Sequence, residues 1–83
     1  MKILWYLYIL RCSDNSLYTG ITNDFGKRIG MHRLGKGSKY VRSRLPVKLV
    51  YKEQHQDEKS ARKREYDIKR MTRKQKEKLI LGL

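Results

Sequence analysis

The hydrophobic positions in the first third of the chain form two short runs separated by a polar segment. Residues 3–12 are nearly continuously apolar, which is typical of a strand that is covered on both faces. The segment Ser13-Asp14-Asn15-Ser16 consists of turn-forming residues, and residues 17–22 form a second apolar run. This pattern predicts a β-hairpin. Gly20, inside the second strand, indicates a bulge or a close approach by another backbone or a ligand.

Side chains alternate between the two faces of a strand, so residues 5, 7 and 9 point one way and residues 6, 8 and 10 the other. Tyrosine occurs in both predicted strands, at Tyr8 and Tyr18. The two tyrosines share a face only if the connection contains an odd number of residues or a bulge, and the pattern leaves both possibilities open.

The middle of the chain predicts a helix, a basic loop and a third strand. Asn23 or Asp24 can cap the helix, and Gly35 is a natural residue to follow its end. Residues 35–46 then form a basic loop that contains glycine and serine. Residues 47–52 alternate partially between apolar and polar side chains, which favours a strand.

The last part of the chain predicts two helices. From Asp57 onward, Ala61, Glu65 and Ile68 recur at helical spacing and form one inward-facing stripe. Thr72 to Gln75 has the spacing of a capping box and begins a final helix. The apolar contribution of that helix is predicted to come from Leu79, Ile80 and Leu83.

These elements predict a small α/β (α+β) domain with the order β-β-α-β-α-α around a short antiparallel or mixed sheet. A chain of 83 residues is long enough for one core, so a single domain is expected over residues 1–83. Cys12 is the only cysteine, which excludes an internal disulfide and a cysteine-based zinc site. No run reaches transmembrane length and no cleavable signal sequence is evident, so we expect a cytoplasmic protein.

The net charge of the chain is the strongest indication of its partner. The chain has 21 Lys and Arg against 8 Asp and Glu, a formal net charge of +13. Such an imbalance favours a polyanionic partner, because neutralising phosphates releases counterions and adds affinity. Nucleic acid is the leading candidate, with ribosomal RNA and anionic membranes as rivals.

One carboxylate stands out against this basic background. Glu65 lies on the apolar stripe of its predicted helix, where an acid needs a buried partner or a metal ion. A salt bridge to one of the arginines would explain the inward position of the Glu65 carboxylate as well as a metal ion would. Taken one at a time, the tyrosines are explained by ordinary strand packing.

Together these residues form a recognisable pattern. Tyr6-Leu7-Tyr8 is followed, after a gap of nine residues, by Tyr18-Thr19-Gly20, then by Arg28 and His32 four residues apart, and finally by Glu65. With the strings LYTGIT and ARKREYDIKR, this arrangement resembles the GIY-YIG nuclease domain, in particular its small stand-alone bacterial members. The resemblance runs from residue 5 to about residue 79 and implies a three-stranded antiparallel sheet flanked by helices.

The chain departs from that family's motifs at three positions. Tyr6 stands where the first motif has glycine, Thr19 is in the middle of the second motif, and Ile21 replaces a lysine found in some relatives. Neither change within the two motifs removes a reactive group.

The resemblance implies a site for phosphodiester hydrolysis that uses one divalent metal ion, Mg²⁺ or Mn²⁺. Tyr8 and Tyr18 match the tyrosines of the two motifs, and one of them would orient or deprotonate the attacking water. Arg28 would hold the scissile phosphate. His32 would assist the tyrosines or contact phosphate, and Glu65 would bind the metal.

The function predicted on this basis is a metal-dependent endonuclease that hydrolyses DNA phosphodiester bonds, in repair or in the processing of branched DNA. The alternatives are a non-catalytic basic module that binds DNA or RNA and a ribosome-associated structural protein. DNA is favoured over RNA as the partner, and no membrane partner is expected. We expect a monomer that another protein directs to its target. On charge alone, the predicted phosphate contacts are Lys27, Lys36, Lys39, Arg42, Arg44, Arg62 and Lys69.

Overall fold

The computed structural model describes residues 3–83, so the first two residues of the predicted 1–83 domain lie outside the described part. The elements in chain order are β1 (Trp5–Arg11), β2 (Leu17–Thr22), α1 (Phe25–Arg33), α2 (Lys39–Arg42), β3 (Lys48–His55), α3 (Glu58–Lys69) and α4 (Arg73–Leu81). Apart from the short α2, this is the predicted order. Within residues 3–83, no helix is long and apolar enough to cross a membrane.

The three strands form one antiparallel sheet in the order β2-β1-β3. Tyr8 lies opposite Gly20 and Leu10 opposite Tyr18, with no irregularity between β1 and β2. The connection covers residues 12–16, an odd number, so Tyr8 and Tyr18 share a face without a bulge. The register shift lies instead between β1 and β3, at Ile9 and Leu10.

Both faces of the central strand are covered, as the continuous apolar run predicted. On one face, Tyr8 and Leu10 form a core with Ile29 of α1 and Val41 of α2. On the other, a second core joins residues from β1 and α3, namely Leu7, Ile9 and Ile68. The sheet therefore separates two hydrophobic cores, one beneath α1 and one beneath α3.

Capping side chains set the helix boundaries at the positions that the sequence predicts. Asp24, not Asn23, caps α1 through the backbone N–H of Lys27, and Gly35 follows the helix with a φ of 77°. Asp57 caps α3 by accepting the N–H of Ser60. The capping box of Thr72 and Gln75 at α4 is complete.

Three expectations are corrected by the structure. The predicted loop at 35–46 contains α2, which escaped detection because its four residues include a single core side chain, the fully buried Val41. β3 continues to His55 instead of ending at residue 52, since its outer half pairs with β1 through the backbone. Leu83 is 86% exposed and follows the end of α4, so it contributes nothing to the core.

Candidate active site

The centre of the candidate site is a buried pair of side chains. Tyr8 projects from β1 and is 1% exposed, and His32, in the last turn of α1, is 0% exposed. A hydrogen bond of 2.8 Å joins the Tyr8 hydroxyl to Nε2 of His32. We call these two residues the Tyr8–His32 pair. They come together because even-numbered positions of β1 face α1, and His32 is on the inner side of that helix.

Gly20 makes room for this pair. A Cβ atom at Gly20 would lie 2.5 Å from the hydroxyl oxygen of Tyr8 and 2.6 Å from Cζ of its ring. The tyrosine side chain therefore crosses directly over the glycine of the neighbouring strand. The close approach predicted at Gly20 is real, but it comes from a side chain and not from another backbone, and β1 and β2 pair there without the predicted bulge.

Gly37 provides the matching space on the histidine side. A Cβ atom there would lie 2.4 Å from Nδ1 of His32. That nitrogen is buried and has no hydrogen-bond partner among residues 3–83. The imidazole is thus held tightly while only one of its two nitrogens is engaged within the described part of the chain.

Burial determines the protonation of both groups. It raises the pKa of the Tyr8 phenol well above its ordinary value, with the Arg28 charge acting in the opposite direction. Burial, reinforced by the nearby Arg28 charge, lowers the pKa of His32. At neutral pH the phenol keeps its proton and the imidazole is neutral. With its own proton on Nδ1, His32 can accept the Tyr8 proton at Nε2.

Tyr18 and Arg28 lie beside the pair. The Tyr18 ring is partly buried, with its centroid 5.3 Å from that of His32 and 6.4 Å from that of Tyr8. Arg28 precedes His32 by one helical turn and is exposed. It lines a cleft of about 410 Å³ whose walls are Thr22, Asn23, Asp24, Lys27, Arg28, Met31, Lys36 and Gly37. The cationic mouth of this cleft suits a phosphate.

Glu65 lies on the predicted stripe, between the fully buried Ala61 and Ile68, and its own side chain is 18% exposed. Its charge contributes to the raised pKa of Tyr8, and its partner Lys69 lines the same groove as Tyr18. Of the two explanations left open, an ion pair is present, but its partner is Lys69 at 3.4 Å and not an arginine.

The donor set near Glu65 fits only an ion that brings most of its own ligands. Residues 3–83 contain no group of three or more His, Cys, Asp or Glu side chains arranged to hold a metal. Mg²⁺ binds proteins through one or two carboxylates and retains water and substrate phosphate as its other ligands. A single, partly exposed carboxylate suits this mode of Mg²⁺ coordination and does not form a complete metal site in advance.

Comparison with known proteins assigns the chain to a family. The model of the GIY-YIG catalytic domain matches residues 4–78. The chain belongs to the GIY-YIG family. GIY-YIG domains are nuclease domains, and nucleases of this family generally use a divalent metal ion.

Individual relatives agree with that assignment. A UPF0213 protein of Clostridium perfringens is 56% identical over 75 residues, covering 90% of this chain and 81% of its own length. A UPF0213 protein of Staphylococcus haemolyticus is 51% identical over 75 residues, covering 90% and 92%. The solution NMR structure of a UPF0213 protein from Bacillus halodurans superimposes with a TM-score of 0.62 at 43% identity, covering 93% of this chain and 82% of that one.

The basic residues predicted to contact phosphate divide into two groups. Lys27 and Lys36 line the Arg28 cleft, and Lys39 and Arg42 are exposed on α2. The other three have partners within the chain. Arg44 pairs with Asp14 at 3.0 Å, Arg62 pairs with Glu58, and Lys69 pairs with Glu65. Only the first group is free of ion pairs within residues 3–83.

Two residues of the candidate site were missed from sequence. Gly37 was assigned only to the basic loop at 35–46, although it packs against His32. Tyr40 was not singled out, although its ring stacks on Tyr18 with centroids 6.0 Å apart and planes 26° apart. The only sequence feature that could have identified Tyr40 is its position as an aromatic residue inside a basic loop. No sequence feature distinguishes Gly37, which lies in a Gly-Lys-Gly segment.

A second polar cluster lies on the opposite face of the sheet, under α3. Its carboxylate, Glu53, accepts hydrogen bonds from Tyr51, from Nε2 of His55 at 2.7 Å and from Nε of Arg64 at 2.9 Å. Nδ1 of His55 bonds in turn to Oγ of Ser60 at 2.6 Å. Burial acts to raise the pKa of Glu53, but these hydrogen bonds outweigh it and the pKa is lowered. We call these residues the Glu53 cluster.

Proposed function

We propose that this GIY-YIG protein is a metal-dependent endonuclease that hydrolyses DNA phosphodiester bonds during repair or the processing of branched DNA. The observation that carries the proposal is the buried hydrogen bond between Tyr8 and His32, beside a cleft that contains Arg28. A phenol needs a proton acceptor before it can take a proton from water, and His32 is such an acceptor at hydrogen-bond distance.

Proton transfer is assigned to the Tyr8–His32 pair. The raised pKa of Tyr8 makes a free phenolate inaccessible at neutral pH, so the phenol must pass its proton to His32 as it receives one from the attacking water. The lowered pKa of His32 keeps the imidazole neutral and therefore available. The positive charge of Arg28 assists this transfer, because it acts to lower the pKa of Tyr8.

Arg28 is assigned to the scissile phosphate. Its exposed guanidinium can donate two parallel hydrogen bonds to phosphate oxygens and stabilise the negative charge that develops on them. Lys27 and Lys36, in the same cleft, would contact neighbouring phosphates. This arrangement explains why the cationic side of the cleft lies directly beside the proton-transfer pair.

Tyr18 and Glu65 complete the proposed site. Tyr18, packed against His32, is assigned to orient the attacking water through its hydroxyl. Glu65 would hold one Mg²⁺ or Mn²⁺ ion, whose chemistry is to neutralise phosphate charge and acidify water. Lys69 pairs with Glu65 at 3.4 Å, so its ammonium group would compete with the ion for this carboxylate.

The second candidate function is a basic module that binds nucleic acid without cutting it. The observation in its favour is the same Glu65–Lys69 ion pair, which already neutralises the proposed metal ligand. The net charge of +13 supports either function.

We further propose a cytoplasmic monomer that a separate protein directs to its substrate.

The test is cleavage of labelled single-stranded, duplex, flap and four-way-junction DNA with Mg²⁺ or Mn²⁺, with binding measured in parallel by fluorescence anisotropy. Wild type is compared with Tyr18→Phe, Arg28→Ala and Glu65→Ala, and Arg64→Ala, which removes an arginine bound to Glu53, is the matched control for loss of a cation. We expect wild type and the control to cut, while the other three bind but do not cut. Binding without cutting by wild type favours the binding module, whereas cutting by Glu65→Ala at the wild-type rate contradicts the role proposed for Glu65.

A further inference from the structure

A second groove opens beside the proposed site, on the edge strand β2. It has a volume of about 260 Å³ and is lined by Leu17, Tyr18, Thr19, Tyr40, Lys69 and Lys76. We call it the Tyr40 groove. It shares Tyr18 with the proposed active site, and Lys69 pairs with Glu65. Any ligand in this groove therefore lies next to the reacting groups.

We propose that the Tyr40 groove binds one unpaired nucleobase of the substrate, adjacent to the scissile phosphate. The inference rests on the proposed function and deepens it, because it names the substrate class. A base inside a duplex is stacked between its neighbours and cannot enter a side groove. The preferred substrate is therefore DNA with an unpaired nucleotide at the cleavage position.

The aromatic wall of the groove carries the argument. The rings of Tyr18 and Tyr40 are nearly parallel, and Tyr40 is 39% exposed. The guanidinium carbon of Arg44 lies 3.8 Å from the Tyr40 ring centroid, and Asp14 holds that arginine at 3.0 Å. Exposed aromatic rings held in place are the usual surface on which proteins stack single bases.

Charge and size indicate the same ligand. Lys69 and Lys76 border an otherwise mainly apolar groove, which suits a flat heterocycle attached to a phosphate backbone. The groove is slightly smaller than the ~300 Å³ lower limit of pockets that take drug-sized molecules, as expected for a single base. The Arg28 cleft, whose Gly37 packs against His32 next to Tyr18, would hold the adjoining phosphates.

The test uses single-stranded oligodeoxynucleotides in which 2-aminopurine is placed at successive positions, together with the Glu65→Gln variant to prevent cutting. We expect binding to quench the fluorescence at one or two adjacent positions, because the probe stacks on tyrosine. Adding Tyr40→Leu should abolish the quenching and weaken binding about 10-fold, the order expected for one lost stacking contact. Tyr40→Phe should preserve both, which separates stacking from misfolding.

Tyr66→Leu is the matched control, because Tyr66 is a tyrosine that is 60% exposed on α3 and outside the groove. Equal quenching in the Tyr40→Leu variant, or equal quenching with the probe inside a duplex, would overturn the proposal. Cleavage by wild type without quenching would overturn base binding in the Tyr40 groove and leave the hydrolytic function standing. Quenching without cleavage overturns the hydrolytic function and leaves the groove as a binding site. The same oligonucleotide as RNA must quench less if DNA is the substrate.

Discussion

The two faces of the sheet present the same residue types in opposite states. Beneath α3, the Glu53 cluster joins Tyr51, His55 and Arg64 to one carboxylate, and both nitrogens of its histidine are hydrogen-bonded. Beneath α1, the Tyr8–His32 pair has a tyrosine, a histidine and a nearby arginine but no carboxylate among its hydrogen-bond partners within residues 3–83. One histidine nitrogen there is buried without a partner in the described chain.

This difference distinguishes a cluster that stabilises the fold from the pair to which we assign proton transfer. A polar cluster whose hydrogen bonds close on themselves stabilises the fold and leaves no group free to react. The Tyr8–His32 pair is less completely satisfied, which costs stability, and it lies next to a cleft where an exposed arginine can meet a phosphate. Glycines at positions 20 and 37 make that costly arrangement possible.

A large effect on the cleavage rate should distinguish the two arginines. Arg28→Ala should lower the cleavage rate constant by roughly 10²–10³-fold, because it removes a donor to the developing phosphate charge. Arg64→Ala should leave that constant within about twofold and cost about 1 kcal/mol of stability, since this arginine donates to Glu53. Single-turnover cleavage and urea unfolding measure the two quantities. Equal losses of rate in both variants would contradict the comparison.

Gly20→Ala tests the space that the pair requires. The new methyl group would overlap the Tyr8 hydroxyl, so the ring must move away from His32. We expect a loss of ~1–3 kcal/mol in unfolding free energy, together with loss of cleavage. Gly26→Ala is the control, since a Cβ atom there meets nothing within 4 Å and alanine favours a helix. A Gly20→Ala protein with normal stability and cleavage would show that Tyr8 does not need this position.

Glu53→Gln examines the other face. The amide retains the shape but disturbs three hydrogen bonds, and we expect a loss of ~1–3 kcal/mol in unfolding free energy. The cleavage rate constant per folded molecule should be unchanged, because no atom of this cluster touches the proposed site. A substantially lower rate constant at full folding would mean that the two faces are coupled.

The smallest effect concerns pH. The lowered pKa of His32 means that the imidazole stays neutral at the ordinary histidine pKa of ~6.5 and is protonated only below it. Cleavage should therefore persist at that pH and fall only as the pH drops through the lowered value. Stability follows the same direction, since the unfolded state binds this proton first and folding weakens on acidification below ~6.5. An NMR titration that puts His32 at or above ~6.5 would contradict this.

The fold could be predicted because its signals are local. Continuous apolar runs, the caps at Asp24 and Asp57 and the capping box at Thr72 each act within a few residues, so the sequence displays them directly. The odd-numbered connection between β1 and β2 was equally visible once the strand ends were known. α2 was missed for the same reason, because four residues are too few to show a period.

The candidate site could be predicted only in part. Helical spacing accounts for Arg28 and His32 lying one turn apart on α1, and strand alternation for Tyr8 and Leu10 sharing a face of β1, since each rule operates within one element. The contact of Gly37 with His32, the stacking of Tyr40 on Tyr18 and the pairing of Glu53 with Arg64 depend on how distant segments pack. No local pattern encodes those distances. The catalytic roles themselves remain predictions.

The most direct test of the central claim compares two tyrosine hydroxyls. Tyr8→Phe and Tyr51→Phe each remove one oxygen, the first from the Tyr8–His32 pair and the second from the Glu53 cluster. The measurement is single-turnover cleavage with Mg²⁺ at saturating DNA, with folding checked for both proteins. We expect Tyr8→Phe to lose roughly 10²–10⁴-fold in rate while Tyr51→Phe cuts as wild type does. If Tyr8→Phe cuts at the wild-type rate, the Tyr8–His32 pair does not transfer the proton.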